Sequence, residues 1–405
     1  MSAYDLVIIG AGVSGLSLAH YAKGLGLRAA IIEQTDRVGG AIHTQRFGDD
    51  GSDFWLELGA HTCYNSYSRL VGILEDLNII DQLLPRQKAP YKMLFANEFR
   101  SIPSQVNILE FLISIPRIFF TSKERKSVAT YYSRVVGKKN FEKVFCHLFD
   151  AVPSQRANDF PADTLFKRRP RRKDILRSFT LKQGLQSMTD ALSREPDLEV
   201  FTGSEVVAIE SRSELFAITT ANGGRYYASH VALAAPANAA ARLVNTIYPD
   251  LANELGRIDV VQVETTGVAV DTDVLGMERI AGIVAAEDSF YSVVSRDTVP
   301  HDHYRGFTFH FKPDQLEKEE KISRIADVLG VPLNNFQWVA NTRNVLPCFR
   351  MNHEDRVKKI DALIADKNIL MTGNYFNGMS IEDCVLRSLS EANRVFRKSS
   401  RHVSA

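Results

Sequence analysis

The residues Gly10-Ala11-Gly12-Val13-Ser14-Gly15 space three glycines as G-x-G-x-x-G, a pattern that suits a backbone closing on a phosphate. Gly10 permits a tight turn, Gly12 leaves room for a pyrophosphate against the main chain, and Gly15 lets a helix pack closely on a strand. A helix starting here turns its unpaired N–H groups and positive end toward the anion. Glu33, eighteen residues after Gly15, offers a carboxylate that accepts hydrogen bonds from ribose hydroxyls. Arg37-Val38-Gly39-Gly40 follows, and its paired glycines let the chain pass close to a second portion of a long cofactor. A plain nicotinamide dehydrogenase has no need of that extra turn. Near the other end, Thr372-Gly373-Asn374 and Gly378-Met379-Ser380-Ile381-Glu382-Asp383-Cys384 place glycine turns between a strand at 368–371 and a helix.

The elements that must hold these residues are legible in the pattern. Residues 4–9 form a short apolar run rich in branched side chains, as in a strand buried on both faces. A helical stretch runs from Leu16 to about Gly24 and Gly26, and a second apolar strand covers 29–32. Strand, glycine turn, helix, strand and terminal acid is the context that the glycine pattern requires. The 405 residues suffice for two or three domains. Forty-nine Lys+Arg against 48 Asp+Glu leave a net charge of +1, which argues against a nucleic-acid binder. Four scattered cysteines without a C-x-x-C pair argue against a disulfide scaffold or a thiol zinc site and fit a reducing compartment. No H-E-x-x-H or G-x-S-x-G occurs, so neither a metal site nor a serine nucleophile is expected. No apolar run is long enough for a spanning helix and no basic segment precedes 4–9, so a cytoplasmic protein is expected.

With G-x-G-x-x-G, Glu33 and R-x-G-G together, the sequence resembles the FAD-binding flavoprotein oxidases, and most closely the protoporphyrinogen oxidase branch of the monoamine oxidase superfamily. The resemblance continues through Glu57-Leu58-Gly59-Ala60-His61-Thr62, a helix expected at 70–84, Gly184-Leu185-Gln186, 201–209, the strand 230–236, Trp338, Leu346-Pro347, His353 and the C-terminal box. It implies an α/β fold: a Rossmann-like FAD-binding domain of the glutathione reductase type, an α+β substrate domain and a helical insertion. The FAD domain is then discontinuous, at 1–85, 180–245 and 338–405, with a helical substrate- or membrane-facing region at 86–179 and a substrate-domain sheet at 246–337.

The same resemblance implies non-covalent FAD held by Gly10, Gly12, Val13, Ser14, Gly15, Glu33, Gln34, Arg37, Gly39, Gly40, Ala41, Gly59, Ala60, Val206, Gly373, Asn374, Ser380 and Ile381. The backbone of Val206 corresponds to the adenine contact, and 57–62 to the segment beneath the flavin ring. His61 then lies beside the ring as the candidate catalytic residue, and a helix from Ser380 aims its positive end at the flavin. The family usually has arginine where Ala41 stands, and the chain is shorter than usual between Val261 and Trp338. The propionate-binding arginine of the family has only Lys92 or Arg100 as counterparts, with Tyr375 a further substrate-side candidate.

The implied reaction is hydride transfer from an apolar, cyclic, porphyrinogen-like substrate to flavin N5, with dioxygen or another acceptor reoxidising the cofactor. An amine oxidase or a desaturase of a specialised metabolite is the alternative. Phe307, Phe309 and Phe311 would then line a cage or simply fill a core, and Lys312 would approach N5. A non-catalytic FAD-binding protein, suggested by Ala41, is the alternative of a different class. Two further stretches remain open. The apolar run 108–120, interrupted by Pro116 and followed by Lys123, Arg125 and Lys126, suits a buried helix or a peripheral membrane contact. Residues 167–173 carry six basic side chains in seven, a solvated face or a site for anionic lipid or acidic substrate.

Overall fold

The computed structural model describes residues 3–47 and 53–397. Its first sheet is built on Tyr4–Ile9, which pairs in parallel with Ala29–Ile32 on one side and Arg225–Leu233 on the other. Glu199–Phe201 extends the sheet beyond Ala29–Ile32. The long strand Arg225–Leu233 serves two neighbours along one edge: its first half pairs antiparallel with Leu215–Thr220, and its second half in parallel with Ile369–Met371. Every residue of Ala29–Ile32 and Ile369–Met371 is buried, as in strands covered on both faces. The two-residue period divides them: Leu6, Ile8, Ile31 and Leu370 enter one core, and Val7, Ile9, Ile32 and Met371 the other.

Helices Val13–Lys23, Ser68–Asp76, Gln186–Ser193 and Ile381–Ala392 supply the first core, while Ala237–Val244, Pro249–Gly256 and His353–Ile364 supply the second. The first and last helices are tied by Ser388, whose hydroxyl donates to the Ser14 carbonyl at 2.7 Å and to that of Cys384 at 3.1 Å. The helix expected at 70–84 stops earlier. Asn78 adopts φ +55°, and a 3-10 turn (Ile80–Gln82) and the strand Leu83–Pro85 replace the remainder. That strand pairs with Ser178–Leu181, so the segment is claimed by a small sheet rather than by its helical pattern.

A second sheet runs Phe336–Pro347, Val260–Asp271, Tyr304–Phe311, Phe290–Ser295, Gly282–Ala285, Tyr91–Phe95 and Glu98–Ser101. Its membership differs from the expected division in two places. Phe336–Pro347 pairs with Val260–Asp271 from Val260↔Pro347 to Val270↔Phe336, so residues 338–347 belong to this sheet and not to the first, with which the expected segment 338–405 would have grouped them. Tyr91–Phe95 and Glu98–Ser101 likewise belong to this sheet, and the helical insertion begins only at Ile102. Phe307, Phe309 and Phe311 are buried with Phe290 beneath helix Lys318–Leu329, so they form core rather than a substrate cage.

The sheet carries a buried ion pair, with Arg305 donating to Asp297 through Nε at 2.9 Å and Nη2 at 2.6 Å. The other arginine contacts go to the carbonyls of Met277 and Glu278, and Asp297 also accepts the Ile280 N–H, so the pair fixes the 277–280 loop on the sheet. Asp297→Ala leaves a buried guanidinium without its counter-charge and is expected to cost ~3–5 kcal/mol. Asp297→Leu with Arg305→Met is expected to recover most of that loss in chemical denaturation.

Candidate functional site

The parallel strands Tyr4–Ile9, Arg225–Leu233 and Ile369–Met371 end together, and the glycine motifs lie at their carboxyl ends, where open α/β sheets bind ligands. Gly10 takes φ +107°, and a Cβ there would meet the Ala234 carbonyl oxygen at 2.8 Å. A Cβ on Gly15 would lie 2.0 Å from the Gly10 carbonyl, so the helix Val13–Lys23 can start here only on glycine. Gly12 differs. It has φ −71°, and the nearest atom to a Cβ would be the Gly40 Cα, 4.0 Å away. Nothing among the described residues requires glycine at position 12, so the space beside it suits a group that is not protein. The helix that follows has no side-chain cap and no acid in its first turn, which leaves its N–H groups, from Val13 and Ser14 onward, to an anion.

The other expected segments converge on this turn. Gly12 and Gly39 form a β-bridge, and the Gly39 N–H donates to the Ala11 carbonyl at 2.8 Å. Arg37 does not point outward: it donates to the carbonyls of Val38, Gly40 and Ile42 and so shapes the Gly39–Gly40 turn. Exposed Ala41 turns its carbonyl to the Ala60 N–H at 3.0 Å, and a Cβ on Gly59 would collide with that carbonyl at 2.0 Å. Glu33 accepts the Ala11 N–H at 2.8 Å through one oxygen and the N–H and hydroxyl of Thr35 through the other. Beside it, Gln34 is exposed, and the Ser204 N–H bonds the Glu33 carbonyl, which brings Val206 to the same edge. These openings fit a cofactor with a pyrophosphate, a ribose and a second extended portion, as FAD has.

The C-terminal box closes the same end. Gly373 lies one residue beyond Ile369–Met371, half-buried Asn374 comes next, and Ser380 caps the helix Ile381–Ala392 by accepting the Asp383 N–H. The positive end of that helix is not unopposed, because Glu382 and Asp383 occupy its first turn. Glu382 turns away to accept the N–H groups of Arg69 and Leu70, both at 3.0 Å. Asp383 is held by Arg169 at 2.7 Å and Lys167 at 3.1 Å, and Lys167 also donates to the Asn377 carbonyl. Arg172 pairs with Glu75 and Asp174, so three of the six basic side chains of 167–173 form internal ion pairs rather than a free solvated face.

His61 lies in the segment leading from Trp55–Glu57, against the second sheet. Its Nδ1 is 2.8 Å from the Thr62 hydroxyl, and burial, reinforced by Arg86 and His310, pushes its pKa down to about 3. His310, on Tyr304–Phe311 and 3.2 Å from the Thr265 hydroxyl, falls to about 4 through burial. His43 falls to about 4 through burial and the nearby Arg37, and its buried Nδ1 has no partner. These imidazoles are neutral at pH 7 and offer hydrogen-bonding atoms rather than charge.

The charge at this place is Arg86, which sequence reasoning did not single out. Its Nη1 donates to the His61 carbonyl at 2.8 Å, burial lowers its pKa, and it forms no ion pair among the described residues. Its signal was its place directly after Leu84-Pro85. The expected substrate cations lie elsewhere, on the edge hairpin of the second sheet. Lys92 pairs with Glu278 at 2.5 Å and exposed Arg100 with Glu98 at 2.9 Å. Tyr375 is 1% exposed in the core against Phe376, its phenol unpartnered, so it does not open onto a substrate. Lys312 lies over the Tyr291 ring beyond the strand end. Among the described residues no group of acids, histidines and cysteines could hold a metal ion.

Residues 13–396 match the family of flavin-containing amine oxidoreductases. The chain is 26% identical over 268 residues to a flavin-dependent L-tryptophan oxidase of Lentzea aerocolonigenes, a match covering 54% of each protein, so it spans about half the length of that relative. It is 20% identical to the coproporphyrinogen III oxidase of Bacillus subtilis, over 94% of this chain and 95% of that one. A crystal structure described as a protoporphyrinogen oxidase of Exiguobacterium sp. 255-15 superposes with TM-score 0.79 at 18% identity, covering 98% of this chain and all of that one. The last of these likenesses concerns the fold.

Two outcomes follow from this geometry. Gly12→Val is expected to fold, to melt like wild type stripped of its flavin and to purify without flavin absorbance, because its side chain fills space that the described residues leave open. Glu57, buried between the Thr44 hydroxyl and the Leu185 N–H, is raised to about 7 by burial. A carboxyl whose folded pKa is raised stabilises fully below its unfolded value near 4.5 and loses that contribution as pH rises through about 7. The melting temperature of Glu57→Gln relative to wild type is therefore expected to climb between about pH 5 and about pH 8.

Proposed function

The chain belongs to the flavin-containing amine oxidoreductases, and from that premise we propose that it is an FAD-dependent oxidoreductase acting on a largely apolar substrate that carries a carboxylate, of the porphyrinogen type. FAD supplies a hydride acceptor in such a reaction. Gly10, Gly12, Val13, Ser14 and Gly15 hold the pyrophosphate, Glu33 with Gln34 the adenosine ribose, and the main chain at Val206 the adenine. The Gly39–Ala41 turn lies along the second portion of the cofactor, with Arg37 setting its shape from within. Gly59, Ala60, Gly373, Asn374, Ser380 and Ile381 would hold the flavin portion.

The observation that carries the substrate class is Arg86. A half-buried guanidinium with no ion pair among the described residues, beside a histidine that stays neutral, attracts an anion and disfavours a cationic amine. His61, neutral and bonded to Thr62, orients the substrate or the ring through its hydrogen bonds and need not carry a proton away. Coproporphyrinogen, the substrate named for the Bacillus subtilis relative, is a carboxylated macrocycle of this kind. Dioxygen is the electron acceptor in this reading. A second reading, oxidation of an amino acid, is supported by the tryptophan oxidase match, since the same arginine would take the α-carboxylate.

Anaerobic loss of the flavin band on mixing with coproporphyrinogen, protoporphyrinogen, L-tryptophan and cyclohexylamine separates these readings. Bleaching by the porphyrinogens is expected. Bleaching by tryptophan alone would move the assignment to the second reading, and bleaching by cyclohexylamine alone would overturn the anionic class. Arg86→Met is expected to keep its flavin and to raise KM for a carboxylated substrate by about tenfold or more, as loss of a charge-assisted hydrogen bond does, with kcat little changed.

A further inference from the structure

Helix Ile108–Ser114 and the 3-10 turn Ile115–Phe120 form a surface ridge that is apolar on both sides. Phe111 and Ile115 face inward and pack on the core of the helical insertion. Ile108, Leu109, Leu112 and Ile113 face outward with Phe119 and Phe120, and these last two are 83% and 89% exposed. Single exposed apolar residues are ordinary, but six large ones on one ridge are a surface built for contact. A helix apolar all round ordinarily has both faces covered.

The character of the cover is written in the neighbouring charges. A cleft of about 560 Å³ is lined by Leu109 and Ile113 of the ridge together with Arg117, Arg134, Lys138 and Lys139. Its one acid, Glu110, spends both oxygens on the main-chain N–H groups of Lys139 and Asn140. The cleft therefore presents four cations beside an apolar ridge, Lys138 standing 3.9 Å from exposed Glu142, and no helix of the described residues is long and apolar enough to cross a membrane.

We propose that this ridge inserts into one leaflet of an anionic lipid bilayer, with Ile108, Leu109, Leu112, Phe119 and Phe120 among the acyl chains and the basic cleft on a phosphate headgroup. Apolar insertion with a rim of Lys and Arg is the chemistry of interfacial membrane contact. The other occupants fit less well. The residues outside the described ones read Met-Ser, Gly-Asp-Asp-Gly-Ser and Lys-Ser-Ser-Arg-His-Val-Ser-Ala, too polar to cover the ridge. A symmetric pair of copies joined through the ridge would bring two basic clusters into one interface, which like charges oppose. The contact stands whichever substrate the enzyme oxidises.

Co-sedimentation of the purified protein with vesicles tests this, using phosphatidylcholine alone and phosphatidylcholine with phosphatidylglycerol. Wild type is expected to pellet with the anionic vesicles and to be released in part by salt. Phe119→Ser/Phe120→Ser and, separately, Lys138→Glu/Lys139→Glu are expected to weaken partitioning by about tenfold each, with circular dichroism and melting unchanged because all four side chains are exposed. Three results would overturn the proposal: no pelleting of wild type, pelleting indifferent to both double variants, or a wild-type dimer in solution that Phe119→Ser/Phe120→Ser converts to monomer.

Discussion

Everything in the candidate site depends on close approach of main chain to main chain. Four segments far apart in sequence meet at the ends of the parallel strands, and at Gly10, Gly15 and Gly59 main chain meets main chain at distances that exclude a Cβ. Each contact fixes two segments at once: Gly10 against Ala234, Gly15 against the turn that precedes it, Gly59 against Ala41. Once these approaches are made, little freedom is left in where the loops can go. The opening beside Gly12 is then defined by its surroundings, and the same residue type allows close packing at three positions and leaves open space at the fourth.

Electrostatics divides the site into a fully paired edge and an underpaired interior. At the edge, Asp383 is answered by Arg169 and Lys167, Glu382 by two backbone N–H groups, and Glu33 by Ala11 and Thr35. These carboxylates hold loops and a helix end in place. In the interior, burial drives His43, His61 and His310 neutral, and Arg86, bonded to the His61 carbonyl, forms no ion pair among the described residues. A charge without an ion pair in a half-buried place is costly unless a ligand completes it, which is why the proposed substrate class rests on Arg86 and not on Lys92, already paired with Glu278.

The helical insertion follows a different rule from the rest of the chain. Elsewhere apolar periodicity matches burial: the alternating faces of Tyr4–Ile9 fill two cores, and the phenylalanines of Tyr304–Phe311 fill a third. In Ile108–Phe120 apolar residues exceed the core available, and the excess sits beside a basic cleft. Composition alone left this stretch open between a buried helix and a membrane contact, because a run of branched and aromatic residues reads the same in both. Only the position of Phe111 and Ile115 against the insertion core shows which half of the run is already satisfied.

The sequence by itself determined the strand–turn–helix–strand unit at the N-terminus, the carboxylate at its tip and the glycine box near the C-terminus, because these signals are local: continuous apolar runs, fixed glycine offsets, an N-cap serine. It also carried the family, since such motifs occur in order along the chain. Tertiary structure decided what depends on partners. The 70–84 segment was helical by pattern, yet a small sheet took its second half through Ser178–Leu181. Residues 338–347 matched a cofactor-side pattern, yet eleven paired positions along Val260–Asp271 placed the strand in the second sheet. Tyr375 had the chemistry of a substrate contact and was drawn into the core, while Arg86, one arginine among many in the sequence, became the site's unpaired charge. A residue's type and spacing fix what it can do; burial and counter-charge, which are properties of its neighbours in space, fix what it does.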